Sequence, residues 1–87
     1  MTEYLVTFAA SARKELKDLP LEAVGRLLPK IRELAGNPRP VGCKKLQGYT
    51  DRWRIRAGNY RVVYAIDDGR KVVDITRIAH RKEAYER

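Results

Sequence analysis

The stretch "DRWRIRAGNYRVVY", Asp51 to Tyr64, decides how this chain folds. Its arginines stand at alternate positions, Arg52, Arg54 and Arg56, before Gly58-Asn59 and a further Arg61. Side chains of a strand alternate between faces, so the three lie on one side of a ribbon. Gly-Asn is the composition of a two-residue hairpin turn. With Gly58 and Asn59 as the loop, Ala57 stands opposite Tyr60, Arg56 opposite Arg61, Ile55 opposite Val62 and Arg54 opposite Val63. One face then carries Trp53, Ile55, Ala57, Tyr60, Val62 and Tyr64, enough apolar surface to cover helices. The other carries Arg52, Arg54, Arg56 and Arg61. Like charges directly across strands destabilise a sheet. Folding alone supplies no motive for the pair, whereas a phosphate gripped by guanidinium groups does; arginines spread out in water, where solvent screens their repulsion, are the alternative.

Outward from this hairpin, a third strand is expected over about 71–79, joined through a two-residue turn at Asp68-Gly69. That register sets Val63 opposite Asp74 and Arg61 opposite Thr76. It carries the polar face onto a strand ending in "IAHRKEAY", with His80, Arg81 and Tyr85 at or near its edge. Upstream, "EYLVTF" has the β-branched and aromatic character of a strand. Ser11 is placed to cap a helix bearing Ala12, Leu16 and Leu19. A second helix starts at Pro20 and carries Leu21, Val24, Leu27, Leu28, Ile31 and Leu34 at intervals of three and four. Pro29 interrupts that stripe, and a kink is expected there. "NPRPVGCKKLQGYTD" reads as a loop, and "HRKEAYER" as a short helical turn. The fold class is therefore α+β: one strand, two helices, then a three-stranded antiparallel meander, with the helices on one sheet face. Residues 1–87 are expected to form a single domain.

Composition narrows the function. Nineteen Lys and Arg against 11 Asp and Glu give a formal charge of +8, a field that favours nucleic acid or an acidic protein as partner; a charge that serves solubility fits the same count. Cys43 is the one cysteine, so neither an internal disulfide nor a cysteine-based metal site can form. Its expected role is that of a small buried hydrophobe. "MTEYLVTF" lacks the pattern of a secretory leader, and the longest apolar run, "VVYAI", is far short of a membrane span. A cytoplasmic protein is expected.

RNA can be cleaved by its own 2′-hydroxyl attacking the adjacent phosphate. The reaction needs a base, an acid for the leaving oxygen and cations for charge on phosphorus, and it needs no metal. His80 is the side chain whose ordinary pKa lies near neutrality. Tyr85 can stack on a base or donate a proton. A lone histidine is more commonly an ordinary surface residue, and Tyr85 could equally pack on the second helix. No metal-ligand cluster, glycine-rich phosphate loop or serine triad is present to suggest other chemistry.

Taken together, "KKLQGYTDRWRIRAGNYRVVYAI" and "ITRIAHRKEAY" carry K-L-x-G, W/Y-R-I-R, G-x-Y-R-V-x-Y and H-R-x-x-x-Y. In this combination the chain resembles the RelE toxins of bacterial toxin–antitoxin modules, within the RelE/ParE superfamily, over almost its full length. The resemblance implies a ribosome-dependent endoribonuclease acting on messenger RNA in the ribosomal A site, beside ribosomal RNA. It implies a co-encoded acidic antitoxin, and neither a small-molecule cofactor, a metal nor a membrane. Arg61 matches the arginine that holds the scissile phosphate. Arg81 matches one that stabilises charge or protonates the leaving group, and Tyr85 the tyrosine that stacks on the substrate base. Arg54 and Arg56 fall where some members carry lysines, one of them proposed as general base. Arginine stays protonated, so either His80 takes the base role or Arg56 serves to bind phosphate, alongside Arg52 and Arg54. Two other readings fit the same residues: a ParE-like toxin directed at DNA gyrase, and a non-catalytic RNA-binding module.

Overall fold

In the computed structural model, which describes residues 3–80, the arginine hairpin forms in the expected register. Strands β3 (Arg52–Ala57) and β4 (Tyr60–Asp67) pair antiparallel, with Arg56 opposite Arg61 and Ala57 opposite Tyr60. Gly58 takes φ 63°, the left-handed first position of a two-residue turn whose twist suits paired strands. Before the hairpin come β1 (Leu5–Phe8), α1 (Ala10–Lys17), α2 (Leu21–Gly36) and a short β2 (Lys44–Lys45); β5 (Val72–His80) follows it. The sheet order is β1-β5-β4-β3-β2. The α+β class stands, but the sheet has five strands and is mixed, because β1 runs parallel to β5 and β2 adds an edge inside the expected loop.

The core lies between the sheet and the helices. Ile55, Val62, Tyr64, Val73, Ile75 and Ile78 form its sheet side, and Ala12, Leu27, Ile31 and Leu34 its helix side. Helix α2 runs unbroken past Pro29. The proline ring lies on the exposed side, so the chain tolerates the missing N–H where the peptide faces water. The buried row is Ala23, Leu27, Ile31 and Leu34; Leu21, expected in it, is the first residue of the helix and is 88% exposed.

Helix α1 also departs from expectation. Its N-cap is Ala9, with no side-chain cap, and Ser11 lies inside the first turn. Ser11 has another task. Strand β1 covers β5 only from Val72 to Ile75, leaving the remainder of that edge without a strand neighbour. Ser11 donates its hydroxyl to the Thr76 carbonyl at 3.2 Å, and Glu15 accepts the Ile78 N–H at 2.7 Å. Positions i and i+4 of a helix share a face, so two side chains of α1 stand in for a missing strand.

A polar clamp fixes the loop between α2 and β2. Arg39 grips Asp68 through both terminal nitrogens, at 2.9 and 3.3 Å, and Tyr4 donates to the same carboxylate at 2.6 Å. The Arg39 guanidinium also lies 5.0 Å from the Trp53 ring centre. Beneath it Tyr64, fully buried, donates to the Pro38 carbonyl at 2.7 Å, and burial pushes its phenol pKa up. Hydrogen bonds from Arg39 and Tyr4 hold Asp68 down at about 2, below the roughly 3.9 of an unfolded chain. A lowered carboxyl pKa contributes stability above the unfolded value and loses it as pH falls through the folded one. Asp68→Asn should therefore lower the urea midpoint at neutral pH, and the gap from the parent should close between about pH 4 and pH 2. A gap that stays constant over that range would contradict the clamp.

The last strand corrects the expected register. The β4–β5 loop contains Asp68 to Lys71, so Asp67 pairs with Val72. Asp67 accepts the Arg70 N–H at 3.0 Å, and Lys71 takes φ 59°. An aspartate side chain closing its own turn makes the longer loop favourable. A bulge then shifts the ladder, with Tyr64 opposite Ile75 but Val63 opposite Arg77. No described helix is long and apolar enough to cross a membrane.

Candidate functional site

The helices pack on the Tyr64 side of the sheet, so the arginines of β3 and β4 occupy the face the helices leave open. Alternation and the observed pairing put Lys44, Arg54, Arg56 and Arg61 together at one end of that face. The bulge puts Arg77, which the sequence reading did not single out, on this face across from Val63, with its Nε 4.0 Å from Glu15 of α1. The signal was Thr76, whose hydroxyl donates to the Val63 carbonyl at 3.1 Å and accommodates the extra residue. The opposite end of the same face is acidic. Asp51, Asp67 and Asp74 gather there around a cleft with Thr7, and Thr7 donates to Asp74 at 2.8 Å. Arg70 also lines this cleft, 3.9 Å from Asp67, and Arg52 lies 3.7 Å from Asp51, so acids and bases offset one another here and a polyanion favours the other end.

Arg61 is 5% exposed, the one buried charged side chain among the described residues. It lies between Arg56 on β3 and Ala79 on β5, where the sequence reading had expected Thr76. Its direct neighbour on β5, Ala79, contributes just a methyl group. Covered from most directions, Arg61 has few conformations to lose when it binds, unlike an extended surface arginine. Arg52, expected beside its neighbours, is drawn to the acidic end. Its Nε is 3.7 Å from Asp51, and its guanidinium lies 5.3 Å from the Tyr49 ring centre. The structure thus brings Arg54, Arg56 and Arg61 together and sets Arg52 apart.

His80 falls on the other face. It pairs with Tyr60, and the two rings meet edge to face with centres 5.5 Å apart, on the side where Tyr60 joins the core. The two-residue turn expected at Asp68-Gly69 would have set His80 on the arginine face. The longer loop displaces the partners by two residues and keeps their faces; the bulge adds one residue, which changes the parity of the strand and moves every later side chain across the sheet. Arg81 and Tyr85, and the helical turn expected around them, lie outside the described residues. Cys43 is a free thiol, half-buried against the core. Among the described residues, no three His, Cys, Asp or Glu side chains converge as metal ligands.

Known proteins share both the sequence and this architecture. The pattern described as the ParE toxin of the type II toxin–antitoxin system parDE matches residues 6–85. Toxin RelE of Mycobacterium tuberculosis is 35% identical over 83 residues, covering 94% of this chain and 86% of that one. The RelBE2 toxin–antitoxin complex of the same organism has a similar chain, with TM-score 0.80 at 31% identity, covering 91% of this chain and 99% of that one. The isolated Escherichia coli RelE toxin also superposes at TM-score 0.80, with 30% identity, over 95% of this chain and 92% of that one.

Proposed function

The chain belongs to the ParE toxin family of type II toxin–antitoxin systems, as a RelE-type toxin, and on that premise we propose that it is an endoribonuclease cutting messenger RNA in the ribosomal A site. One observation carries the reading: Arg56 and Arg61 stand opposite each other on the sheet face away from the helices, with Arg54 beside them. Their repulsion is relieved by a bound anion, and a charge that grows on phosphorus during reaction is relieved most.

In the proposed reaction the 2′-hydroxyl oxygen bonds to phosphorus and the bond from phosphorus to the 5′-oxygen breaks. A 2′,3′-cyclic phosphate and a free 5′-hydroxyl result. The hydroxyl proton passes to a base, and another reaches the departing oxygen, so no net proton is consumed and no metal is needed. Arg61 holds the scissile phosphate. Arg54 and Arg56 bind the neighbouring backbone as fixed charges, since a guanidinium does not give up its proton near neutrality. Arg52, tied to Asp51, serves the periphery of the bound strand. Arg81 and Tyr85 take the roles the family resemblance implies, leaving-group stabilisation and base stacking. His80, whose ring rests on Tyr60, can act on the ribose only by reaching around the end of β5.

The partner proposed is a cognate acidic antitoxin. Similar toxins occur in solved complexes with antitoxins, and a formal charge of +8 favours an acidic chain laid over the open face. The site of action is the cytoplasm, where ribosomes are. The name of the matching pattern supports a second reading, inhibition of DNA gyrase on the same fold.

A programmed messenger incubated with the toxin, with and without ribosomes, separates the two. Cuts mapped within the A-site codon, dependent on ribosomes and blocked by the antitoxin, are expected. Intact messenger together with loss of gyrase supercoiling would overturn the nuclease reading.

A further inference from the structure

Strand β3 outruns its edge partner. β2 pairs with it only at Trp53 and Arg54, and Gly42, at φ 95°, turns the chain away before another pair forms. The gap is a cleft of about 390 Å³ between the edge of β3, the loop around Val41 and α2. Lys30 from α2, Lys44 from β2 and Arg54 and Arg56 from β3 line it, against one carboxylate, Glu33. Among the described residues, Lys30, Lys44 and Arg56 form no ion pair, so three elements deliver cations to one place without neutralising them. The outward peptide edge contributes too. Leu46 N–H donates to the Arg52 carbonyl at 2.9 Å, and every second residue of β3 faces the same way. Past Arg54, whose edge Lys44 occupies, Arg56 is therefore the next residue whose main chain is turned toward the gap.

We propose that this cleft is a second phosphate subsite, which holds a phosphodiester flanking the one at Arg61. The inference rests on the nuclease reading and specifies how the RNA strand leaves the sheet. Arg56 belongs to both places: it is the cross-strand partner of Arg61 and a wall of the cleft. Neighbouring strands are about 4.8 Å apart, so the cleft lies roughly one to two strand spacings from Arg61, a distance a nucleotide step or two can span. At the other end of the face the aspartates offset Arg52 and Arg70, so it attracts the strand less. A single-stranded backbone anchored at Arg61 thus has a continuous cationic path over the β3 edge to Lys44 and Lys30.

An acidic peptide added as an extra strand fits the cleft less well. Between the end of β2 and the turn at Gly58, Arg56 alone presents its peptide groups outward, so strand addition gains little of the ladder that drives it. A phosphate needs no ladder. It needs cations and a donor, and the cleft gathers Lys30, Lys44 and Arg56 beside the outward peptide of Arg56.

The test uses full-length protein and a 2′-O-methyl RNA oligonucleotide, which lacks the attacking hydroxyl and so binds without being cut. Binding is measured across a salt series for the parent and the Lys30→Gln/Lys44→Gln variant. Each phosphate contact on a single strand contributes about 0.7 to the salt slope, so the variant should lose about 0.7. Neutral methylphosphonate linkages are then placed at each position in turn. One linkage, a nucleotide or two from the cleavage site, should weaken the parent and leave the variant indifferent. An unchanged slope, or equal sensitivity of both proteins at every linkage, overturns the subsite. So does an acidic peptide that protects the cleft lysines from acetylation while RNA binding is unaffected. Cleavage by the parent is scored separately on ribosomes. Cleavage with an unchanged slope removes the subsite alone, whereas a shifted slope without cleavage keeps the phosphate site and removes the nuclease.

Discussion

Replacement of Arg61 by alanine is expected to lower single-turnover cleavage of ribosome-bound messenger about 10²–10³-fold, the usual loss when one preorganised donor to a transition-state charge is removed. The expectation follows from where the side chain lies. Arg61 is 5% exposed and sits between Arg56 and the small Ala79, so it meets a phosphate without first being ordered. Arg61→Lys should recover part of the rate, because an ammonium keeps the charge but loses the paired hydrogen bonds. The measurement is the single-turnover rate at saturating ribosome complex, alongside the circular dichroism melt. A folded Arg61→Ala protein that cleaves at the parental rate would remove the phosphate role. His80→Gln supplies the contrast. Its ring packs on Tyr60 on the helix side, so a loss below tenfold is expected; a loss as large as that of Arg61→Ala would mean that His80 reaches the ribose around the strand end.

Leu27→Ala should cost about 2–5 kcal/mol of folding stability. Leu27 is 0% exposed, in the buried row of α2 with Ile31 and Leu34, over the sheet residues that carry the arginines on their other side. Its truncation removes transfer free energy and leaves a cavity that a dense core cannot fully close. Small domains are stable by about 5–15 kcal/mol, so this one change removes a large share. A fall in melting temperature of about 10 °C or more is expected in a chain of 87 residues. Leu21→Ala, in the same apolar stripe but 88% exposed, should change stability by no more than about 0.5 kcal/mol. Urea melts of the two variants check the pair; similar midpoints would mean that α2 packs through a different face.

These contrasts follow the line between local and non-local information in this chain. The arginine hairpin was legible because its two determinants are local. A glycine able to take φ 63° sets the turn, and alternation then assigns every side chain to a face. The two helices and the α+β class were legible for the same reason, through periodicity and a glycine–proline stop.

Other features depended on contacts between residues far apart. Strand β2 lies in a loop without β character, and it is held there by Arg39 on Asp68 and Tyr64 on Pro38, pairs separated by 29 and 26 residues. Ser11 is a good cap by composition. Packing of α1 along the open edge of β5 gave its hydroxyl the Thr76 carbonyl instead.

The local signals of residues 51–64 therefore specified that four arginines line one ribbon face, opposite an apolar one. Which groups share that face was settled by assembly. The bulge at Thr76 put Arg77 on the arginine face, with its Nε 4.0 Å from Glu15, and sent His80 to the helix side. A strand's faces alternate with a period of two, so a slip of one residue, too small to leave a mark in composition, moves a functional side chain across the sheet.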